Sequence, residues 1–159
     1  MDNLAQKLKD LAVSRGVTIG AAESCTGGLV SSEITAIPGS SDYFVGAVVS
    51  YSNEVKNAEL GVDASVLENY GAVSSECAAL MASGACNALG ADYAVSVTGV
   101  AGPGGGSSEK PVGTVWFGLC GPYGVWTERC LFDGDRGEVR RQSVDKALSM
   151  LVEALEGGE

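Results

Sequence analysis

No histidine occurs among the 159 residues. That absence excludes Ser-His-Asp and Cys-His catalysis within the chain, and with them the histidine-based zinc sites. A hydroxyl or thiol nucleophile here needs another base, and lysine is the obvious candidate. The cysteines are five and therefore odd in number: Cys25, Cys77, Cys86, Cys120 and Cys130. No C-x-x-C pair occurs, so neither a disulfide framework nor a zinc ribbon is expected. Reduced thiols in a cytoplasmic protein are the simpler reading. No apolar run approaches the ~18 residues of a membrane span, so no membrane partner is expected. The start, Met1-Asp2-Asn3-Leu4, lacks the basic-then-apolar pattern of a signal peptide. Basic residues are scarce, 10 Lys and Arg against 20 Asp and Glu, for a formal net charge of −10. Duplex nucleic acid is a poor partner for such a chain, because phosphate binding needs clustered cations. A small anion in a locally basic pocket remains compatible with it.

What is present suits one domain over residues 1–159. The composition, 45% hydrophobic and 19% charged, is ordinary for a globular chain. A domain of this size buries roughly 70% of its unfolded surface without staples. Leu4, Leu8, Leu11 and Ala12 recur at helical spacing, predicting a helix from Asp2 to Ser14 that stops at Gly16. Val17 to Ala22 reads as a buried strand, followed by a helix from Gly27 to Thr35. Val45 to Tyr51 reads as a second strand, with Ser52 or Asn53 capping a helix through Leu60. Asp63 opens a short helix to Tyr70, and Ser74 or Ser75 a longer one to Leu89. Asp92 to Thr98 is a third strand. Val112–Leu119 and Val125–Phe132 form a late antiparallel hairpin across Gly121-Pro122-Tyr123-Gly124. Asp135 and Glu138 form a capping box for the last helix. The pattern predicts an α/β class fold, three layers α/β/α around a mixed sheet of about five strands.

Ser24 sits where the first strand should feed a helix, the place where ligands bind in open α/β sheets. Gly27 and Gly28 permit close backbone approach, and N–H groups at the helix start suit an oxyanion or phosphate. The plainer reading is that Ser24 or Thr26 caps the helix. Cys25 is a rival nucleophile, ranked lower because a strand-end thiol is more often buried and inert. The segment is not a Walker loop. Lys56 falls in the first turn of its helix, where a cation is disfavoured and a lowered pKa suits a general base; the alternative is a solvated surface lysine. Arg136 and Arg140 share a face of the last helix and suit a phosphate, or simply solvent and Glu138. The stretch 102–108 reads as a closing lid or an ordinary mobile loop.

Taken together, Ala22-Glu23-Ser24-Cys25-Thr26-Gly27-Gly28, Pro38-Gly39-Ser40-Ser41, Tyr51-Ser52-Asn53-Glu54-Val55-Lys56, Gly71-Ala72-Val73-Ser74, Thr98-Gly99-Val100-Ala101-Gly102-Pro103, Lys110-Pro111-Val112-Gly113-Thr114-Val115 and Gly134-Asp135-Arg136 resemble the CinA C-terminal domain family. They occur in family order over nearly the whole chain. The resemblance implies metal- and cofactor-independent hydrolysis of nicotinamide mononucleotide to nicotinate mononucleotide and ammonia, by a cytoplasmic homodimer. It implies Ser24 as nucleophile, Lys56 as base, and Tyr51, Ser41 and Thr98 as supporting groups. Ser41 is the reserve nucleophile of a Ser-Ser-Lys relay. Thr26, Gly27 and Gly28 would contact substrate, with Arg136 and then Arg140 on its phosphate. Long family members carry an additional pyrophosphatase domain, for which this chain has no room. The alternative is a non-catalytic nucleotide-binding or protein-interaction domain, which expects Lys56 in solvent.

Overall fold

The computed structural model describes residues 3–157. Its elements, in chain order, are α1 (Leu4–Arg15), β1 (Ile19–Glu23), α2 (Leu29–Thr35), β2 (Phe44–Val49), α3 (Asn53–Leu60), α4 (Ala64–Asn69), α5 (Ser75–Leu89), β3 (Tyr93–Gly99), β4 (Thr114–Gly121), β5 (Gly124–Leu131) and α6 (Arg136–Glu156). A 3-10 turn, Ser40–Asp42, precedes β2. The sheet has the order β2-β1-β3-β4-β5. β1 is parallel to both β2 and β3, while β4 and β5 run antiparallel. The five-stranded mixed sheet and its late hairpin agree with the sequence reading.

Local chemistry explains most element ends. Asn3 caps α1, accepting from the Gln6 N–H, and Gly16 closes it in the left-handed region. The sequence reading started this helix at Asp2, which lies outside the described residues. Ser52 caps α3 and Ser74 caps α5. The Asp135–Glu138 capping box of α6 is present with both of its hydrogen bonds. The hairpin closes with Gly121 opposite Gly124, leaving Pro122-Tyr123 as the loop.

β1 lies between two parallel strands, and all five of its residues are buried. That is the pattern of a strand covered on both faces. One face packs on α1, α2 and α6, with Leu8, Ile34, Val95, Phe117, Leu148 and Leu151 in its core. The other packs on α3 and α5, through Ala22, Leu60, Met81, Ala85 and Ala94. Two glycines set how close α5 comes. A Cβ on Gly118 would overlap the Ala78 carbonyl, and one on Gly84 the Leu60 carbonyl at the end of α3. Small residues here seat α5 on the sheet and α3 on α5. On α5 the buried positions are Cys77, Ala78, Met81, Ala82 and Ala85, whereas Ala88 is exposed. The buried face includes Ala78 and Ala82 because α5 packs on β4 as well as on α3.

Candidate active site

The carboxyl ends of β1, β2 and β3 meet at one sheet edge. Glu23 is opposite Val97 and Val49 in register, so the next residue along, Ser24, leaves the sheet beside Thr98. Its N–H donates to the Val97 carbonyl at 3.0 Å. Ser24 is buried, 8% exposed.

Lys56 comes to this hydroxyl from α3. It is 1% exposed. Its Nζ lies 3.0 Å from Ser24 Oγ, 2.7 Å from the Ser50 carbonyl and 3.1 Å from the Tyr51 carbonyl. Burial pushes the amine below its ordinary value, more than the nearby Cys77 and Cys25 thiols raise it. The sequence reading expected this direction from the start of the helix; desolvation is the cause. A neutral amine has two N–H groups and one lone pair. With the N–H groups on the two carbonyls, the lone pair faces the Ser24 hydroxyl. That is the geometry of a general base. The same burial pushes the Cys25 thiol up to about 11. A thiol so protected is a poor nucleophile, which leaves the Ser24 hydroxyl as the group that Lys56 reaches.

The remaining candidates divide. Tyr51 is 64% exposed, and its hydroxyl lies 3.5 Å from Arg136 Nη2. Arg136, exposed at the first turn of α6, is steadied by donating to the Gly102 carbonyl at 2.7 Å. The two therefore form one exposed polar pair, at the mouth of the site in the sense that the Tyr51 carbonyl itself accepts from Lys56. The amino end of α6 already holds the Asp135 carboxylate, so an anion there meets the Arg136 side chain and not a free helix terminus. Thr98 is at the right edge but is committed inward: its hydroxyl donates to the Ala72 carbonyl at 2.9 Å, tying the 71–74 segment to the sheet.

Ser41 is not brought to the site. It lies exposed in the 3-10 turn before β2, at the opposite sheet edge, where β2 starts beside Ile19. The length of β1, about 3.3 Å per residue, separates it from Ser24. A relay through Ser41 and Lys56 has no path.

The Thr26 hydroxyl and the Gly28 N–H are likewise not free for a ligand. The signal that sequence reasoning passed over is Glu23. This buried side chain accepts from Thr26 Oγ1 at 2.6 Å, the Gly28 N–H at 3.1 Å, the Val30 N–H at 3.0 Å, and both the N–H and hydroxyl of Ser31. Glu23 thus occupies the amino end of α2, where a phosphate had been expected. The Gly27 N–H is spent on the Ser24 carbonyl at 3.1 Å. Arg140 is also engaged, its Nε and Nη2 donating to the carbonyls of Cys25 and Thr26. An acid at the end of a strand, three residues before Thr26, is the pattern that could have revealed the internal cap. Ser50, buried with its carbonyl on Lys56, was missed for want of any side-chain signal.

Among the described residues no group of three or more His, Cys, Asp or Glu side chains is placed to hold a metal ion. No helix among them is long and apolar enough to cross a membrane.

The family model described as the CinA C-terminal domain matches residues 1–155. The chain belongs to this family. A CinA-like protein of Desulfotalea psychrophila is 47% identical over 150 residues, covering 94% of this chain and 36% of the relative. A putative competence-damage inducible protein of Halothermothrix orenii is 51% identical over 154 residues, covering 96% of this chain and 37% of the relative. The chain thus spans somewhat over a third of the length of these curated relatives. Among solved structures, a CinA superfamily protein from Klebsiella pneumoniae superposes with a TM-score of 0.94 at 34% identity, covering 99% of both chains. The competence/damage inducible protein CihA from Agrobacterium tumefaciens gives 0.90 at 39% identity, covering 98% of this chain and 97% of that one. The CinA C-terminal domain is thus the setting of Ser24 and Lys56. The names of these relatives state no reaction.

Proposed function

We propose that this chain is an amidohydrolase that removes the carboxamide nitrogen of nicotinamide mononucleotide. The observation that carries the reading is the buried Ser24–Lys56 contact. Neutral Lys56 takes the Ser24 proton as Oγ attacks the amide carbon. The Thr26 N–H donates to no acceptor in the chain among the described residues. It is the free backbone donor near the nucleophile for the oxygen that becomes negative. Protonated Lys56 then returns its proton to the leaving nitrogen, which departs as ammonia. Water, deprotonated by the same amine, splits the acyl-serine to give nicotinate mononucleotide. Arg136 and Tyr51, at the mouth, suit the phosphate of the substrate.

The test is ammonia release from nicotinamide mononucleotide by wild type, Ser24→Ala and Lys56→Ala. Activity confined to wild type is the expected result. A folded wild type that releases none would end the proposal, and equal activity in all three would end the assigned roles. A binding-only domain expects Lys56 in solvent, and its burial speaks against that alternative. A homodimer in the cytoplasm is the proposed setting. Exposed Val125 and Leu131 on the edge strand β5 favour self-association, which molar mass in solution tests.

A further inference from the structure

Arg140 meets the Ser24 turn from α6, while Lys56 meets it from α3. Its Nε donates to the Cys25 carbonyl at 3.0 Å and its Nη2 to the Thr26 carbonyl at 3.2 Å. These are the first two side-chain-bearing residues after the nucleophile. No acidic side chain lies within ion-pair distance of this guanidinium among the described residues. Its directed contacts are the two carbonyls.

A guanidinium offers its N–H groups in a fixed planar fork. One rigid group therefore sets two successive peptide planes. In a trans peptide the C=O and N–H point in opposite directions. Holding the Cys25 carbonyl toward Arg140 turns the Thr26 N–H away from it. Holding the Thr26 carbonyl turns the Gly27 N–H away likewise, and that group closes on the Ser24 carbonyl. Glu23 braces the far side of the turn through Thr26 Oγ1 and the Gly28 and Val30 N–H groups, so Arg140 is the side chain that holds the carbonyl side. Gly27 and Gly28 take φ of 56° and 108°, and α2 begins only at Leu29. Glycine adds no side-chain restraint of its own there. A Cβ on Gly27 would come within 3.4 Å of Arg140 Nη2, so the guanidinium also lies against the turn it holds.

We propose that Arg140 is a positioning residue for Ser24, acting through the carbonyls of Cys25 and Thr26, and not a ligand for the substrate's phosphate. Its kinetic consequence rests on the amidohydrolase reading; its structural consequence does not. Displacing a nucleophile by about 1 Å costs on the order of 10²-fold in rate. Arg140→Ala should lower kcat by about 10- to 100-fold and leave KM within about twofold. Arg136→Ala should instead raise KM. Guanidinium ion at non-denaturing concentration should restore part of the kcat of Arg140→Ala. Arg140→Lys should not recover it, because a point charge cannot hold both planes. Arg141→Ala, next along the same helix, should match wild type.

Hydrogen exchange of the Ser24–Val30 backbone gives a readout independent of turnover. It should quicken in Arg140→Ala and in Arg140→Lys. A raised KM with unchanged kcat would make Arg140 a substrate contact and overturn the proposal. Unchanged exchange across Ser24–Val30 would overturn it too. Should Arg140→Ala not fold, Arg140→Lys carries both measurements. A wild type that releases no ammonia defeats the amidohydrolase reading, while exchange still decides whether Arg140 holds the turn.

Discussion

Lys56 is where pH acts on this molecule. Only its neutral form can accept the Ser24 proton, and burial holds its pKa below 10.5 in the folded chain. Activity should therefore rise with pH through that lowered value and then level, giving an acid limb in kcat/KM that Arg136→Ala leaves in place. Lys56→Ala should reduce kcat by about 10²- to 10⁴-fold, the usual range for a lost general base. The same shift bears on stability. Between the folded value and 10.5 the unfolded chain carries more protons, so stability gains as pH rises through that window. Below the folded value the penalty is present in full. Thermal melts across neutral to alkaline pH should show this rise in wild type relative to Lys56→Ala; parallel curves would contradict it.

At the scale of elements, two contacts set where the site sits. Glu23 caps α2 from inside the sheet, with five donors on two oxygens. Glu23→Gln would point an N–H₂ at groups that are themselves donors. Losing buried partners of this kind costs about 1–3 kcal/mol, a fall in melting temperature of about 2–12 °C for a chain of this length. Calorimetry reads it directly. Gly84 decides how α3 lies on α5. Gly84→Ala should push Leu60 away at a cost of about 1–3 kcal/mol, and should lower kcat further than the stability loss explains, because Lys56 rides on α3. Preserved kcat in a folded Gly84→Ala would show that α3 tolerates the shift. These element-level facts also mark how much was legible beforehand. Caps at Ser52 or Asn53, Ser74 or Ser75 and Asp135, and the stop at Gly16, are local chemistry, so element positions and the alternation leading to an α/β sheet could be read. Ser24 and Lys56 could be named, but their meeting depends on β1 and β2 lying side by side. Ser41 failed for the same reason: chain direction, not residue type, decides which sheet edge a serine reaches. Glu23 stayed hidden because three of its five partners are backbone N–H groups, which carry no residue-type signal, leaving only Thr26 and Ser31 to mark it.

At the scale of the whole molecule, charge and site oppose one another. The chain carries −10, while Arg136 offers a positive contact at the mouth. A nucleotide with a net negative charge is repelled at a distance and held on contact. Salt screens the distant term far more than the contact, since the Debye length falls from about 30 Å at 0.01 M to about 8 Å at 0.15 M. The kcat/KM for the mononucleotide should therefore rise with ionic strength over that range. Steady-state kinetics at fixed pH checks it, and a fall would mean that local cations outweigh the net charge even in the encounter.

The placement of β1 also sets an order of assembly. Ser24 stands at the end of a strand whose neighbours are β2 and β3, and its turn is held by residue 140. As the chain emerges from the ribosome, residue 24 leaves long before Thr98 or Arg140 exists. Pairing between such distant segments is slow and comes late. A nascent chain that stops before Arg140 holds Ser24 without that frame, so on the amidohydrolase reading the newborn protein becomes competent only as α6 closes over the sheet.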